Sequence, residues 1–231
     1  MASLYDRVAD TVRGIYDRRI DGPSILEADR YFPQNRLFVD SWRQIREEAL
    51  AVRQRLSSVP RFHELMKAQE TNSANDDRDW RIFIMKVYGH EVKQNLDRCP
   101  VTASIVRQCP DVLSTSFSFL APGKYIPPHR GPFRGVMRFH LGLSMPPADD
   151  GLPGCVMQVD NVPYRLGDGD SLLWDDTYTH ELINRAEDVR IALLLDVWRP
   201  EMPADMRALS HVIVSIARLG ASLQPADKYG G

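Results

Sequence analysis

The feature that most constrains this chain is a succession of eight short apolar or alternating segments, at 113–121, 124–129, 136–145, 154–160, 162–166, 170–175, 179–185 and 189–198. Between them lie PPADDGLPG, GDGD and NRAED, all rich in turn-forming residues. Many short strands at this spacing specify a mainly β domain: a sandwich, a jelly-roll or a barrel. The segments before them read as helices. Leu4, Val8, Val12 and Ile15 fall at helical spacing behind Ser3, which could cap the first turn. After Asp40–Ser41, the residues Trp42, Ile45, Ala49, Val52 and Leu56 share one face while Arg and Glu take the others. TNSANDDRD (71–79) has loop composition, and Val101–Gln108 reads as a further short helix closed by Pro110. Beyond Pro200 and Pro203, the stripe Met206, Leu209, Ile213, Ile216 predicts a closing helix.

The expectation is one domain over 1–231: a helical part over about 1–110, a β-roll over about 111–200 and a helix over about 203–220. With 43% hydrophobic and 26% charged residues, the chain can bury one sizeable core. A formal charge of −2 implies no nucleic-acid or membrane-surface partner through bulk electrostatics. Cys99, Cys109 and Cys155 are odd in number and lack Cys-x-x-Cys spacing, against a disulfide framework or a structural zinc site. No window approaches the ~20 apolar residues of a bilayer span, and MASLYDRVADTVRGIYDRR lacks the apolar run of a signal peptide. The expected location is cytoplasmic, with reduced thiols. Oligomeric state is not readable.

Three places carry candidate chemistry. In VMRFHLGLSM (136–145) alternation puts Met137, Phe139, Leu141 and Leu143 on one face and Arg138 and His140 on the other. Either face could meet solvent. VRIALLLDVW (189–198) is apolar enough to be buried on both faces yet carries Arg190 and Asp196, which share a face. A guanidinium there needs an anion. That anion is either Asp196 or a ligand carboxylate gripped by the planar fork of Arg190. Among six histidines, His63 and His211 read as surface or packing residues and His90 carries no signal. His129 and His180 each stand where a strand meets a turn, and neutral imidazoles on adjacent strands suit Fe(II). The usual carboxylate two residues after the first histidine is missing, because Gly131 stands there. Spacing alone leaves the metal open.

Three ordered blocks, PPHRGPFRGVMRFHLGL (127–143), GDSLLWDDTYTHE (169–181) and VRIALLLDVWRPEM (189–202), resemble the catalytic domain of aspartyl/asparaginyl β-hydroxylases. FSFLAPGKYIPPH (117–129), RDWRIFIMKVYG (78–89) and RCPVTASIV (98–106) are similar to it as well, so the likeness spans roughly 35–203. It implies a double-stranded β-helix (jelly-roll, cupin-like) core with N-terminal helices and a C-terminal helix, and an Fe(II)- and 2-oxoglutarate-dependent dioxygenase that consumes O2. The family is known for two histidine ligands without a carboxylate, so Gly131 fits it. By resemblance His129 and His180 would bind the metal. Ser118, Arg138, His140 and Arg190 would hold 2-oxoglutarate, with Arg190 on its distal carboxylate. Trp80 would line the same pocket, and Asp176 would orient a metal-bound water or merely shape its turn.

The substrate is left as a small molecule or a peptide. Gly131 tilts toward an aspartyl, asparaginyl or related amino-acid carbon, because the bacterial relatives that modify lipid acyl chains tend to have Asp there. A lipid acyl hydroxylase and a non-catalytic jelly-roll binding protein are the alternatives. Zinc hydrolysis would need a glutamate base beside a histidine in the usual motif, and neither histidine stands in one.

Overall fold

The computed structural model describes residues 4–229. Eleven strands are present: β1 (Ile25–Leu26), β2 (Trp80–Val87), β3 (His90–Glu91), β4 (Val112–Leu120), β5 (Tyr125–His129), β6 (Val136–Ser144), β7 (Cys155–Val159), β8 (Val162–Tyr164), β9 (Ser171–Trp174), β10 (His180–Asn184) and β11 (Arg190–Trp198). They form two antiparallel sheets, ordered β1-β9-β6-β11-β4-β2-β3 and β5-β10-β7-β8. Counting β4 to β11 as one to eight, the large sheet runs 6-3-8-1 and the small one 2-7-4-5. That order is the jelly-roll, or double-stranded β-helix, in which successive strands cross between the sheets except at the β7–β8 hairpin, where the chain turns back.

The large sheet is buried on both faces. Its outer face presents Phe83, Phe117, Phe119, Met137, Phe139, Leu141, Ile191, Leu193 and Leu195 to a helical layer. That layer contributes Ile45, Ala49 and Val52 from the Trp42–Arg53 helix, at the spacing the sequence predicts. The Pro100–Gln108 helix packs beside it, and its first free N–H groups, on Val101 and Thr102, donate to the Glu48 carboxylate at 2.6 and 3.0 Å. Between the two sheets lies a second core that includes Trp80, Ile82, Leu120, Ile126, Cys155, Met157, Trp174 and Leu182.

The expected helical character of residues 1–110 fails over β2. Trp80, Ile82 and Ile84 face the inter-sheet space while Phe83 and Met85 face the helices, so this segment extends the large sheet instead. The Leu4–Asp17 helix is present; the Ser3 cap lies outside the described residues. The closing helix runs Ala204–Ser222, but its buried side is Met206, Ser210, Val214 and Ala221, and Ile216 is 67% exposed. Tyr16 of the first helix bonds Ser210 of the last, at 2.7 Å.

Candidate active site

The site lies between the sheets, and a shift of strand register builds it. His129 and His180 stand directly opposite each other on β5 and β10, but the next pair is Leu182 with Ile126. Between those pairs one residue of β10, Glu181, therefore faces two of β5. The extra residue falls at Pro127–Pro128, which offer no N–H to a ladder. Strict alternation would send His129 and Ile126 to opposite faces; with the shift both meet the inter-sheet space. The two imidazoles stand with ring centroids 4.0 Å apart.

Each ring is held the same way. His129 Nδ1–H donates to Pro127 O at 2.8 Å and His180 Nδ1–H to Tyr178 O at 2.9 Å. That tautomer leaves both Nε2 atoms with a free lone pair. Burial lowers the pKa of both, well below the ordinary value for His180, where the second imidazole adds to the effect. The pair is neutral at pH 7, as metal coordination requires. Trp174 meets His180 edge-on, centroids 4.5 Å apart, and its Nε1–H donates to His140 Nδ1 at 3.1 Å. His140 is thereby fixed with its proton on Nε2.

Asp176 explains the glycine. A Cβ built at Gly131 would stand 2.5 Å from Asp176 Oδ2 and nearer still to Cγ and Oδ1. The carboxylate fills the space a side chain at 131 would need. Gly131 N–H also donates to Asp176 O at 2.6 Å, and Arg13 of the first helix donates to Gly131 O at 2.8 Å. Asp176 Oδ1 is buried with no hydrogen-bond partner, and Oδ2 lies 3.4 Å from Arg138. Burial pushes the Asp176 carboxyl up to about 6, with Arg138 opposing the rise. Among the described residues no group of three or more His, Cys, Asp or Glu is placed to share a metal. The turn that carries it is pinned by the adjacent Asp175, which pairs with Arg199 at 2.6 Å and Arg134 at 3.0 Å and accepts from Thr177.

The two arginines differ sharply. Arg138 donates to Asp196 through Nε and Nη2, at 3.0 and 2.8 Å. Burial works against its charge, but Asp196 and Asp176 outweigh that and raise its pKa. Arg190 is 2% exposed and has no acidic partner among the described residues. Its one polar contact runs from Nη1 to Ser118 Oγ at 3.4 Å, its Nε is unsatisfied, and burial lowers its pKa. Ser118 Oγ also accepts from Trp80 Nε1 at 3.1 Å, and Phe62 stacks on Trp80 with centroids 3.9 Å apart. Arg190 and Asp196 do share a face, but they are six residues and about 20 Å apart along an extended strand. The pairing weighed from the sequence is not formed.

Three clusters thus lie between the sheets: Trp80, Ser118 and Arg190; His129, His180, His140 and Trp174; and Arg138, Asp176 and Asp196, with Trp80, the histidine pair, Arg138, Asp176 and Asp196 lining the open cavity and Ser118, Arg190, His140 and Trp174 bonded or packed behind them. The open cavity runs along β2 from Trp80 past Ile82 and Ile84 to Lys86 and Tyr88, with Leu194 and the histidine pair opposite. Its outer wall, which includes Phe62 and Met66, leads into a loop held by Lys124. Lys124 is fully buried and donates to Ser73 O, Asn75 Oδ1 and Asp76 Oδ1 at 2.6 to 2.7 Å. Trp174, Asp196, Phe62 and Lys124 escape sequence reasoning as site-building residues. Trp174 and Asp196 lie inside recognisable blocks, whereas nothing local marks Phe62 or Lys124.

A family model described as aspartyl/asparaginyl β-hydroxylase matches residues 39–200. The ornithine lipid ester-linked acyl 2-hydroxylase of Rhizobium tropici is 32% identical over 173 residues, covering 75% of this chain and 59% of that protein. The human aspartyl/asparaginyl β-hydroxylase is 26% identical over 178 residues, 74% of this chain and 22% of its own length. Human aspartate β-hydroxylase domain-containing protein 2 is 30% identical over 149 residues, 61% of this chain and 39% of its own. The chain therefore spans well under two thirds of each of these relatives. No helix among the described residues is long and apolar enough to cross a membrane. Matched by that model from the second helical segment to the end of the last strand, the chain belongs to the aspartyl/asparaginyl β-hydroxylase family of hydroxylases.

Proposed function

We propose that the protein is an Fe(II)- and 2-oxoglutarate-dependent oxygenase that hydroxylates an aliphatic carbon of its substrate and releases succinate and CO2. One observation carries the reading: two facing, neutral imidazoles, each with Nδ1 tied to its own backbone and Nε2 left free. Bound there, ferrous iron with 2-oxoglutarate and O2 supplies the oxidising power to break an unactivated C–H bond. The rest is the work of the protein.

Arg190 is the seat for the distal carboxylate. A buried guanidinium with an unsatisfied Nε and no acid is costly until an anion arrives, and a carboxylate satisfies the fork. Ser118 and Trp80 complete that end. His140, its tautomer set by Trp174, offers an Nε2–H donor nearer the histidine pair. Two neutral ligands leave the metal its full charge, so the dianionic co-substrate helps to retain it. Arg138, expected to share in co-substrate binding, is engaged by Asp196 and Asp176. Its role in this reading is to hold Asp176 in place, where Oδ1 can accept from a water beside the pair.

For the substrate, the cavity wall of Ile82, Ile84, Val87 and Leu194 favours an aliphatic segment, as in an acyl chain. The second reading, an aspartyl, asparaginyl or related amino-acid carbon, is favoured by Arg130 and Arg138 in the same cavity. Gly131 does not decide between them, because packing against Asp176 accounts for it. The test is succinate release from 2-oxoglutarate with Fe(II), first alone and then with acyl lipids or Asp- and Asn-containing peptides. Product would gain one oxygen by mass spectrometry. His180→Ala should abolish turnover. An iron-loaded wild-type protein that never consumes 2-oxoglutarate would leave the fold a binding module.

A further inference from the structure

A second hollow opens beside the cavity, between the β2–β3 turn, the start of β4 and the closing helix. Lys86 and Tyr88 line both spaces, so the hollow adjoins the cavity at those two side chains. Four basic side chains line the hollow, Lys86, His90, His211 and Arg218, against one acid, Glu91. Glu91 faces Lys86 across the ladder, yet the two form no ion pair. Among the described residues neither Lys86 nor Arg218 makes an ion pair or a side-chain hydrogen bond. Lys86 is half-buried, and burial lowers its pKa, with Glu91 opposing and Arg218 adding to the fall. Two neighbouring cations, one partly out of water, share a single acid that forms an ion pair with neither, and an anion seated between them would relieve their repulsion.

The surrounding frame is rigid. Tyr88 N–H donates to Ser114 Oγ at 3.2 Å and Gly89 N–H to Leu113 O at 2.8 Å, which fastens the turn to β4. Tyr88 is held at φ 47°, a region costly for a residue with a side chain. Trp198 floors the hollow, its ring 4.7 Å from that of His211.

We propose that this hollow is the second anchoring subsite of the active site, holding a carboxylate or phosphate group carried by the substrate. The inference rests on the oxygenase reading and extends it. Arg190 grips the co-substrate between the sheets, and Lys86 with Arg218 grips the substrate in the hollow. From Trp80 to Lys86 is six residues of extended strand, about 20 Å. With the histidine pair between those ends, the anionic group sits on the order of 10 Å from the carbon that reacts. A free amino acid is too short to span that distance; a headgroup on a chain or an acidic residue in a peptide is not.

The protein has four tryptophans, so the indole N–H spectrum of 15N-tryptophan-labelled protein separates the hollow from the rest. Trp198 reports the hollow, Trp80 and Trp174 the site, and Trp42 the helical layer. Titration with inorganic phosphate should move Trp198 saturably and leave Trp42 in place. Monododecyl phosphate, kept below its micellar concentration, should bind more tightly and also move Trp80 or Trp174. Paired Lys86→Met and Arg218→Met substitutions should weaken phosphate binding at least tenfold, while Lys86→Arg with Arg218→Lys should retain it. An unmoved Trp198, four indoles shifting alike, or affinity unchanged in the Met pair would overturn the inference, and a Met pair that does not fold leaves the decision to the wild-type titration. Uncoupled 2-oxoglutarate consumption by the wild-type protein, measured on the same preparation, tests the oxygenase reading separately, so either can fail while the other stands.

Discussion

Gly131→Ala adds one methyl group at a point where the structure leaves no room for it. The new Cβ would overlap the Asp176 carboxylate, which is buried and, among the described residues, is ion-paired to Arg138 alone. Gly131 is not among the residues with positive φ, so the substitution brings no backbone strain of its own. Forcing a methyl into a packed site costs about 1–3 kcal/mol. Displacing Asp176 from Arg138 adds a lost charge-assisted contact, and the sum is roughly 3 kcal/mol. For a chain of this size each kcal/mol moves Tm by about 2–4 °C, so metal-free Gly131→Ala should melt about 6–12 °C below wild type. The second arm fixes the cause. In an Asp176→Gly background the three atoms nearest to the new methyl are gone, and the lower entropy of the unfolded chain should make the alanine neutral or stabilising by about 0.5 kcal/mol. Thermal unfolding of the four proteins gives the coupling directly. Equal losses in both backgrounds, or none in either, would refute the account of why a glycine stands at this position.

Three further expectations follow from the same geometry. Arg190→Met should raise the KM for 2-oxoglutarate by about 100-fold or more, as loss of a buried charge-assisted pair costs several kcal/mol. The same change should raise the Tm of the ligand-free protein, because it removes a buried charge that has no acid; a fall in Tm would count against the reading. Asp176 titrates near 4 when unfolded and is pushed up to about 6 in the fold by burial. Between those values the native state holds more protons, so its contribution to stability falls as pH rises through 4 to 6 and the penalty is complete above that. The stability difference between wild type and Asp176→Asn, followed by chemical denaturation across this window, should show that slope; a flat difference sinks it. Lys124→Met leaves Ser73 O, Asn75 and Asp76 without their donor and should cost about 3–5 kcal/mol, with hydrogen exchange in 70–79 rising first.

The eight segments between 113 and 198 are legible as strands because each carries its own alternation or apolar run between turn residues. Trp80–Val87 is not, since IFIM (82–85) is apolar on both faces and periodicity cannot tell a doubly covered strand from a helix. The two-residue strands Ile25–Leu26 and His90–Glu91 have no period at all. On the closing helix, Ile216 fits the predicted stripe but sits on the solvent side, because Ser210, invisible to an apolar pattern, turns inward to meet Tyr16. At the site, the two histidines were nameable through resemblance while spacing left them open. Alternation put Arg190 and Asp196 on one face but gave no hint that Asp196 would find Arg138 across the ladder, a contact only strand order supplies.

The mismatch between β5 and β10 has a consequence for anyone comparing chains of this kind. With one proline fewer between Ile126 and His129 the ladder would run evenly, and the histidine, two steps from Ile126, would still face the inter-sheet space; the shift at Pro127–Pro128 lets it do so from three. Where the ring points is thus set by two counts taken together, the steps from Ile126 and the shift in the ladder: an even count without a shift, or an odd count with one, aims it inward. A single gap in this dipeptide is therefore no loss of the ligand, whereas a regular ladder over three steps would be.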